Sequence, residues 1–133
     1  MQWSREDAFT TGSPWLPYGD LTVTVEQQRD DPASMLSLYR RLIWFRRSSS
    51  ALRFGAYQPI DGLPAGVYAY TRIHGDERLL TALNFTNDPI GFDLPESLSV
   101  AESIAGTHAP ESAARSITLQ GNEGQLLRLA PLG

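Results

Sequence analysis

The chain has no cysteine, no run of about 20 apolar residues and no continuous run of basic residues. The absence of cysteine excludes disulfide bridges, thiolate metal sites and a thiol nucleophile, and it is compatible with a reducing cytoplasm. The first residues lack the basic start and apolar centre of a signal peptide. A formal net charge of -4 leaves no basic surface for neutralising phosphates. We therefore expect a cytoplasmic protein that binds neither membranes nor nucleic acid.

The sequence also lacks a local pattern for catalysis, for a metal or for a cofactor. His74 and His108 do not have the helical spacing of a zinc hydrolase, and the serines at 48–50 are not part of a nucleophile elbow. The acidic pairs Asp30-Asp31 and Asp76-Glu77 are neighbours in sequence, which favours a helix cap and a solvated turn over an opposed catalytic pair. We expect no catalytic residue, no metal site and no cofactor in this chain.

What is present indicates a globular piece of a larger protein. A length of 133 residues, with 41% apolar and 20% charged residues, suits one compact domain with an additional element. Residues 1–29 are punctuated by glycine and proline, and they predict an irregular loop with the aromatic anchors Trp3, Phe9 and Trp15. Such a loop needs a scaffold, and chain termini usually fray. We therefore expect the chain to be the C-terminal part of a longer protein.

One amphipathic helix follows the loop. Asp31-Pro32 is a helix-start pattern, and the helical period continues to about Arg47. The predicted apolar helix face consists of Met35, Leu36, Tyr39, Leu42 and Ile43. Large exposed apolar patches are uncommon on monomers, so we expect this face to pack on the rest of the protein or on a second copy. The serines at 48–50 are expected to end the helix.

The remainder of the sequence predicts β-structure. The period changes to alternation after Gly55, and turn clusters separate short apolar segments. Seven strands are predicted, namely 56–60, 67–73, 78–85, 90–94, 100–104, 115–119 and 125–129. The turn at 74–77 predicts a hairpin. Short strands at this spacing are typical of an antiparallel sandwich or barrel.

Several motifs occur in a fixed order. Met1-Gln2-Trp3 precedes Phe9-Thr10-Thr11-Gly12-Ser13-Pro14-Trp15-Leu16-Pro17, and after the helix come Ala51-Leu52-Arg53-Phe54-Gly55-Ala56-Tyr57 and Leu83-Asn84-Phe85-Thr86. This order resembles the C-terminal third of α-glucosidases and oligo-1,6-glucosidases of the α-amylase superfamily, glycoside hydrolase family thirteen. The resemblance covers essentially the whole chain up to about Leu94.

The resemblance implies a fold and assigns the catalytic chemistry to a part of the parent that lies outside this chain. Residues 1–50 would be the last loop and helix of a (β/α)8 catalytic barrel, and residues 51–133 a mainly β, Greek-key antiparallel β-sandwich. The parent would be a retaining hydrolase of α-linked glucose, with its catalytic carboxylates upstream of Met1. The fragment is therefore expected to be inactive alone, with the missing barrel as its partner. Carbohydrate would be bound through the parent.

Trp3 and Phe9 are the candidate substrate-binding residues. Aromatic rings stack on sugars, and the resemblance places their loop near the sugar site, at the rim of the barrel. The loop between them is shorter than is usual in the family, which bears on specificity beyond the first sugar. Packing beneath the rim is the alternative for both residues, and it is the preferred interpretation for Trp15.

Two further functions remain open from the residues alone. Tyr68 and Tyr70 alternate along one strand and share a face, so that with Tyr57 they would form a stacking platform of a separate carbohydrate-binding module. Alternatively, the chain is an interaction module whose predicted helix face recruits another protein.

Overall fold

A computed structural model describes residues 2–4, 10, 12–17, 19, 22–108, 111, 112 and 114–131. The chain divides into two compact units, Met1–Ile43 and Trp44–Gly133. The described elements are α1 Val25–Arg29, α2 Met35–Ser48, α3 Ser50–Phe54, β1 Ala56–Pro59, β2 Val67–His74, β3 Glu77–Asn84, β4 Ile90–Asp93, β5 Val100–Gly106, β6 Glu111–Ser112, β7 Ser116–Leu119 and β8 Gly124–Leu129. No described helix is long and apolar enough to cross a membrane.

The start of the first unit is held by backbone pairing. Gln2 forms a parallel bridge with Thr24, and the first N–H groups of α1 donate to the Gln2 and Trp3 carbonyls at 2.9 Å. The Thr24 hydroxyl accepts from the Gln27 N–H while the Gln27 side chain accepts from the Thr24 N–H, which is a capping box. The prediction that residues 1–29 are irregular throughout is therefore wrong at α1. Its single turn is too short to show an apolar period.

Helix α2 begins later than predicted. The Asp31 carboxylate accepts from the Ala33 N–H at 2.8 Å and so closes a turn. The Ser34 hydroxyl accepts from the Ser37 N–H at 3.2 Å and takes the helix cap instead. The predicted start at Asp31-Pro32 is wrong because aspartate stabilises a turn and a helix cap through the same kind of hydrogen bond. The predicted end near Arg47 is confirmed.

The serines that end α2 also start α3, which was not predicted. The Ser49 hydroxyl accepts from the Leu52 N–H and caps the new helix. A methyl group on Gly55 would lie 2.4 Å from the Ala51 carbonyl oxygen and 2.9 Å from that of Ile73. Gly55 thus allows the chain to leave α3 and enter β1 at close range, which keeps α3 on the sheet.

The second unit is a β-sandwich, as predicted. One sheet has the order β1-β2-β3-β8-β5 and the other β4-β7-β6, and all pairs are antiparallel. The order departs from the chain order, as Greek-key connections require. The hairpin at 74–77 is confirmed, since His74 pairs with Glu77 across a turn in which Gly75 has a φ of 56°. The seven predicted strands are present, and β6 is an additional short one.

The core lies between the two sheets. On β3, Leu80 and Ala82 are fully buried and pack with Ile117, Leu119 and Leu127 from the last two strands. Burial of one such large aliphatic side chain contributes about 1.5 to 3 kcal/mol, so these residues hold the two layers together. The opposite face of the five-stranded sheet buries Leu79, Leu126 and, from α3, Ala51.

Asn84 joins two turns at one end of the sandwich. Its side chain is 3% exposed, and its amide donates to the carbonyls of Asp88 at 2.8 Å and Gln120 at 2.9 Å. Its carbonyl oxygen accepts from the Thr86 N–H and hydroxyl. One buried side chain therefore supplies hydrogen bonds to backbone groups of both the connection after β3 and the connection before β8.

Candidate functional site

The two residues predicted to contact sugar have different outcomes. The Trp3 backbone is held by its hydrogen bond from Glu26, and its side chain is 61% exposed. Phe9 lies outside the described residues. Trp15, for which packing was preferred, is 91% exposed. An exposed ring on a held backbone is suited to contact with another surface, and sugar contact by Trp3 and Phe9 stays a prediction.

The acidic residues lie in caps and turns. Asp30 ends α1, Asp31 closes the turn before α2, and Asp76 is exposed in the β2–β3 hairpin. In the part of the chain that the structure describes, no group of three or more histidine, cysteine, aspartate or glutamate residues could hold a metal. None of these carboxylates has an environment that assigns it to acid–base chemistry.

Glu77 differs from the predicted solvated turn residue. It is half-buried, and its carboxylate accepts from the Ser50 hydroxyl at 2.7 Å and from the Ala51 N–H at 2.8 Å. Burial acts to raise the pKa of Glu77, but the hydrogen bonds from Ala51, Ser50 and Ser49 outweigh it and lower the pKa. The carboxylate therefore fastens the start of α3 to β3. Sequence could not show this contact, because the partners are 26 and 27 residues apart.

The lowered pKa of Glu77 predicts a pH dependence of stability. A carboxyl group with a lower pKa in the folded state stabilises the fold above its unfolded pKa, near 4.5, and loses that contribution as the pH falls through the folded value. We expect Glu77→Gln to lower the free energy of unfolding at pH 7 by about 1 kcal/mol, with the difference disappearing towards pH 3. Urea unfolding at both pH values measures it. Asp76→Asn, in the same turn, should leave the free energy of unfolding nearly unchanged at both pH values. If Glu77→Gln lowered the free energy of unfolding equally at both pH values, the lowered pKa of Glu77 would be contradicted.

The three tyrosines of the predicted platform form a cluster. The ring centroids of Tyr57 and Tyr70 are 5.2 Å apart with planes at 41°, and those of Tyr68 and Tyr70 are 5.8 Å apart at 47°. The hydroxyls of Tyr57 and Tyr68 are hydrogen-bonded, and this bond is the main cause that raises the pKa of Tyr57 above its usual value near 10. The shared face of Tyr68 and Tyr70 is confirmed, but the rings are tilted against one another.

The cluster belongs to a larger apolar surface, which we call the open sheet face. Residues opposite each other in antiparallel strands share a face, and Pro59 lies opposite Tyr70 while Tyr68 lies opposite Leu83. Phe85 is the first residue after β3, its N–H donates to the Gly66 carbonyl at 2.8 Å, and it is 70% exposed. The open sheet face consists of Tyr57, Pro59, Tyr68, Tyr70, Leu83 and Phe85, and the same register places the polar residues Arg72 and Thr81 opposite Tyr57 and Tyr70. Sequence analysis missed its last two members, although the alternation beyond Leu83 was a usable signal.

The predicted helix face is only partly covered. Leu36 and Leu42 are half-buried, whereas Met35, Tyr39 and Ile43 are 56%, 59% and 54% exposed. These three residues recur at four-residue steps and so form one stripe along α2. The described chain therefore exposes apolar side chains in each of its two units.

Comparison with known proteins finds similarity over nearly the whole chain. No protein-family model matches the chain. The oligo-1,6-glucosidase of Bacillus cereus is 30% identical over 136 residues, which cover 97% of this chain and 24% of that enzyme. The trehalose-6-phosphate hydrolase of Bacillus subtilis is 28% identical over 137 residues, with the same two coverages. The chain thus spans about a quarter of the length of the curated relatives it matches.

The same relation appears among solved structures. A mutant isomaltulose synthase of Erwinia rhapontici, crystallised with sucrose, superposes with a TM-score of 0.88 at 30% identity. The superposition covers 98% of this chain and 24% of the synthase. Similarity in sequence and in fold therefore extends over the same fraction of these enzymes. The chain belongs to the α-glucosidase type of glycoside hydrolase family thirteen and corresponds to the C-terminal quarter of its relatives.

Proposed function

We propose that the chain is the C-terminal structural part of a hydrolase that cleaves α-glucosidic bonds of oligosaccharides. The observation that carries the proposal is the match of 97% of the chain to 24% of the Bacillus cereus oligo-1,6-glucosidase. In this proposal residues 1–50 supply the last loop and helix of the catalytic barrel, and residues 51–133 form the accompanying sandwich. The catalytic carboxylates belong to the remaining three-quarters.

The placement of the acidic residues supports a non-catalytic role for this part. Retaining glycoside hydrolysis needs two carboxyl groups about 5 to 5.5 Å apart on opposite sides of the bond. Asp31 and Glu77 are instead engaged by backbone N–H groups of a turn and a helix start. Trp3 and Phe9 are assigned to the rim of the sugar site, with the exposure of the Trp3 ring as the supporting fact.

The predicted helix face is the proposed contact with the rest of the barrel. Its exposed stripe of Met35, Tyr39 and Ile43 has the four-residue spacing that suits packing against a neighbouring element. Shielding this stripe removes apolar surface from water at about 25 cal/mol per Å². Without the barrel the same stripe favours self-association, which light scattering of the isolated chain detects.

The test is a comparison of the isolated chain with a chimera. In the chimera this chain replaces the matched quarter of the Bacillus cereus oligo-1,6-glucosidase. We expect the isolated chain to show no hydrolysis of p-nitrophenyl α-glucoside above the buffer rate. We expect the chimera to hydrolyse it with a kcat within about tenfold of the intact relative, since the chemistry lies in the retained part.

Two controls make the comparison decisive. The relative truncated before the matched quarter shows what the barrel does alone, and an unrelated sandwich domain in the same position shows whether any module suffices. Hydrolysis by the isolated chain would contradict the proposal. So would a chimera that is no better than the truncated enzyme.

A further inference from the structure

We propose that Gln2 is a positioning residue of the sugar site. In this inference its buried side-chain oxygen accepts a hydrogen bond from the upstream catalytic part of the hydrolase, and that bond holds Trp3 at the rim. The inference rests on the proposed function, in which Trp3 contacts sugar, and adds a residue that does not itself touch the substrate. The donor is an N–H or O–H group of the polypeptide that surrounds residue 2 in the barrel.

The burial of the Gln2 side chain carries the first step. Gln2 is 6% exposed, and in the part of the chain that the structure describes no group donates to its buried Oε1 atom. Removing an amide oxygen from water without a hydrogen bond is unfavourable, and the large majority of buried side-chain polar atoms have a partner. The Oε1 atom therefore points to a donor beyond the described residues.

The donors at the start of α1 already have acceptors. The first two N–H groups of α1 donate to the backbone carbonyls of Gln2 and Trp3. Thr24, the bridge partner of Gln2, donates through its N–H and its hydroxyl to Gln27 Oε1 at 3.2 and 3.1 Å. The Gln27 N–H donates to the Thr24 hydroxyl at 3.3 Å. None of these groups can turn to Gln2 without opening the capping box or the backbone pairing.

The position of Gln2 beside Trp3 links this donor to the sugar site. The two backbone bonds from α1 hold residues 2 and 3 on one side only. A bond to the buried side chain of Gln2 adds a second point of attachment, on the side of the catalytic part. The Trp3 ring, which is 61% exposed, then projects from a backbone that is fixed from two sides. Contacts with a substrate depend on such support, because small displacements weaken them.

The relatives supply the polypeptide that would carry the donor. The chain corresponds to the C-terminal quarter of these enzymes, so their remaining three-quarters precede it. A group in that part is available to Gln2 at high effective concentration. A buried water is less suited to the position, since it needs two or more polar partners and the donors at the start of α1 are already engaged.

The experiment compares Gln2→Met in the chimera and in the isolated chain. Methionine has a similar length but no amide oxygen. Hydrogen exchange of the Val25 and Glu26 amides, which donate to the Gln2 and Trp3 carbonyls, measures how often this segment opens. In the chimera we expect exchange to accelerate about fivefold and the KM for p-nitrophenyl α-glucoside to rise about fivefold, with kcat changed by less than about twofold.

The isolated chain is expected to respond in the opposite direction. There Gln2→Met removes an unpaired buried oxygen, so exchange of the same two amides should be unchanged or slower. Gln58→Met, at an exposed position in β1, is the matched control and should leave exchange and KM unchanged in both proteins.

Gln2→Glu provides a second comparison, because it keeps an acceptor at the same position. In the chimera the donor can bond to the carboxylate, so exchange should be slower in Gln2→Glu than in Gln2→Met. In the isolated chain the carboxylate is buried without a donor, so exchange should be faster in Gln2→Glu than in Gln2→Met. The same order of the two variants in both proteins would overturn the inference.

The remaining outcomes separate the inference from the proposed function. An active chimera in which Gln2→Met changes neither exchange nor KM overturns the inference and leaves the proposed function standing. Equal acceleration of exchange in both proteins also overturns it, because the partner of Gln2 would then lie within this chain. A raised KM without faster exchange overturns it in favour of direct sugar contact by Gln2. An inactive unsubstituted chimera overturns the proposed function and the inference with it.

Discussion

Replacement of Asn84 by aspartate is expected to lower the free energy of unfolding by about 3 kcal/mol or more. The amide of Asn84 donates to the Asp88 and Gln120 carbonyls in a position that is 3% exposed. Aspartate has the same shape but no donor when ionised, and its charge would face those carbonyl oxygens. The Asp88 carbonyl keeps its bond from the Thr86 hydroxyl and the Gln120 carbonyl keeps its bond from the Glu123 N–H. The cost therefore comes from the two lost amide bonds and from the burial of a charge, together about 3 kcal/mol. Typical domains have only about 5 to 15 kcal/mol in total.

The midpoint and slope of urea unfolding, followed by circular dichroism, measure this effect. Asn87→Asp is the matched control in the same connection. Asn87 is exposed, and its side-chain oxygen accepts from Asn122 at 3.0 Å, a role that a carboxylate retains. We expect the control to change stability by less than about 0.5 kcal/mol. Equal midpoints for Asn84→Asp and the unsubstituted chain would show that the Asn84 bonds do not hold the two turns.

Replacement of Gly121 by alanine is expected to cost about 2 to 3 kcal/mol. Gly121 lies in the connection before β8, and an added Cβ would be 2.1 Å from the Asn87 carbonyl oxygen and 2.5 Å from its carbonyl carbon. Both are backbone atoms, so the clash cannot be relieved by rotating a side chain. The two connections must separate, and this strains the Asn122 N–H bond to the Thr86 carbonyl, now 2.8 Å long.

Gly91→Ala tests whether the loss of stability in Gly121→Ala comes from the close contact with the Asn87 backbone or from glycine replacement in general. Gly91 lies in β4, where the nearest atoms to an added Cβ are 3.8 Å away. Alanine there removes freedom from the unfolded chain, and we expect it to be neutral or to stabilise by a few tenths of a kcal/mol. Both variants are compared by thermal unfolding. A Gly121→Ala protein as stable as Gly91→Ala would contradict the close approach of the turns.

The strands were predictable because their signals are local. Alternation in 67–73 and 78–85, and a turn with Gly75 between them, predict a hairpin whatever surrounds it. The same holds for the long helix, whose period covers several turns. The short helices α1 and α3 escaped prediction because a five-residue segment contains too little of a period. Their caps, Thr24 and Ser49, are residue types that are preferred before a helix, and they are the local signals of these two starts.

The site was less predictable than the fold. Trp3 was selected for its residue type, and the position of its backbone beside α1 depends on pairing with residues more than twenty positions away. The contacts of Glu77 with α3 also join distant segments. The tyrosines were placed on one face correctly, but their tilted packing against β1 depends on which strand lies beside β2.

The sequence by itself determined that this chain is a helix followed by an antiparallel sandwich, and its motifs indicated the family. Those properties follow from periods of two and 3.6 residues, from turn chemistry and from short segments in a fixed order. Only the tertiary structure decided which apolar residues are buried and which stay on the open sheet face and the helix face. Burial depends on strand order and on the elements that cover each face, and these involve residues far apart in the chain.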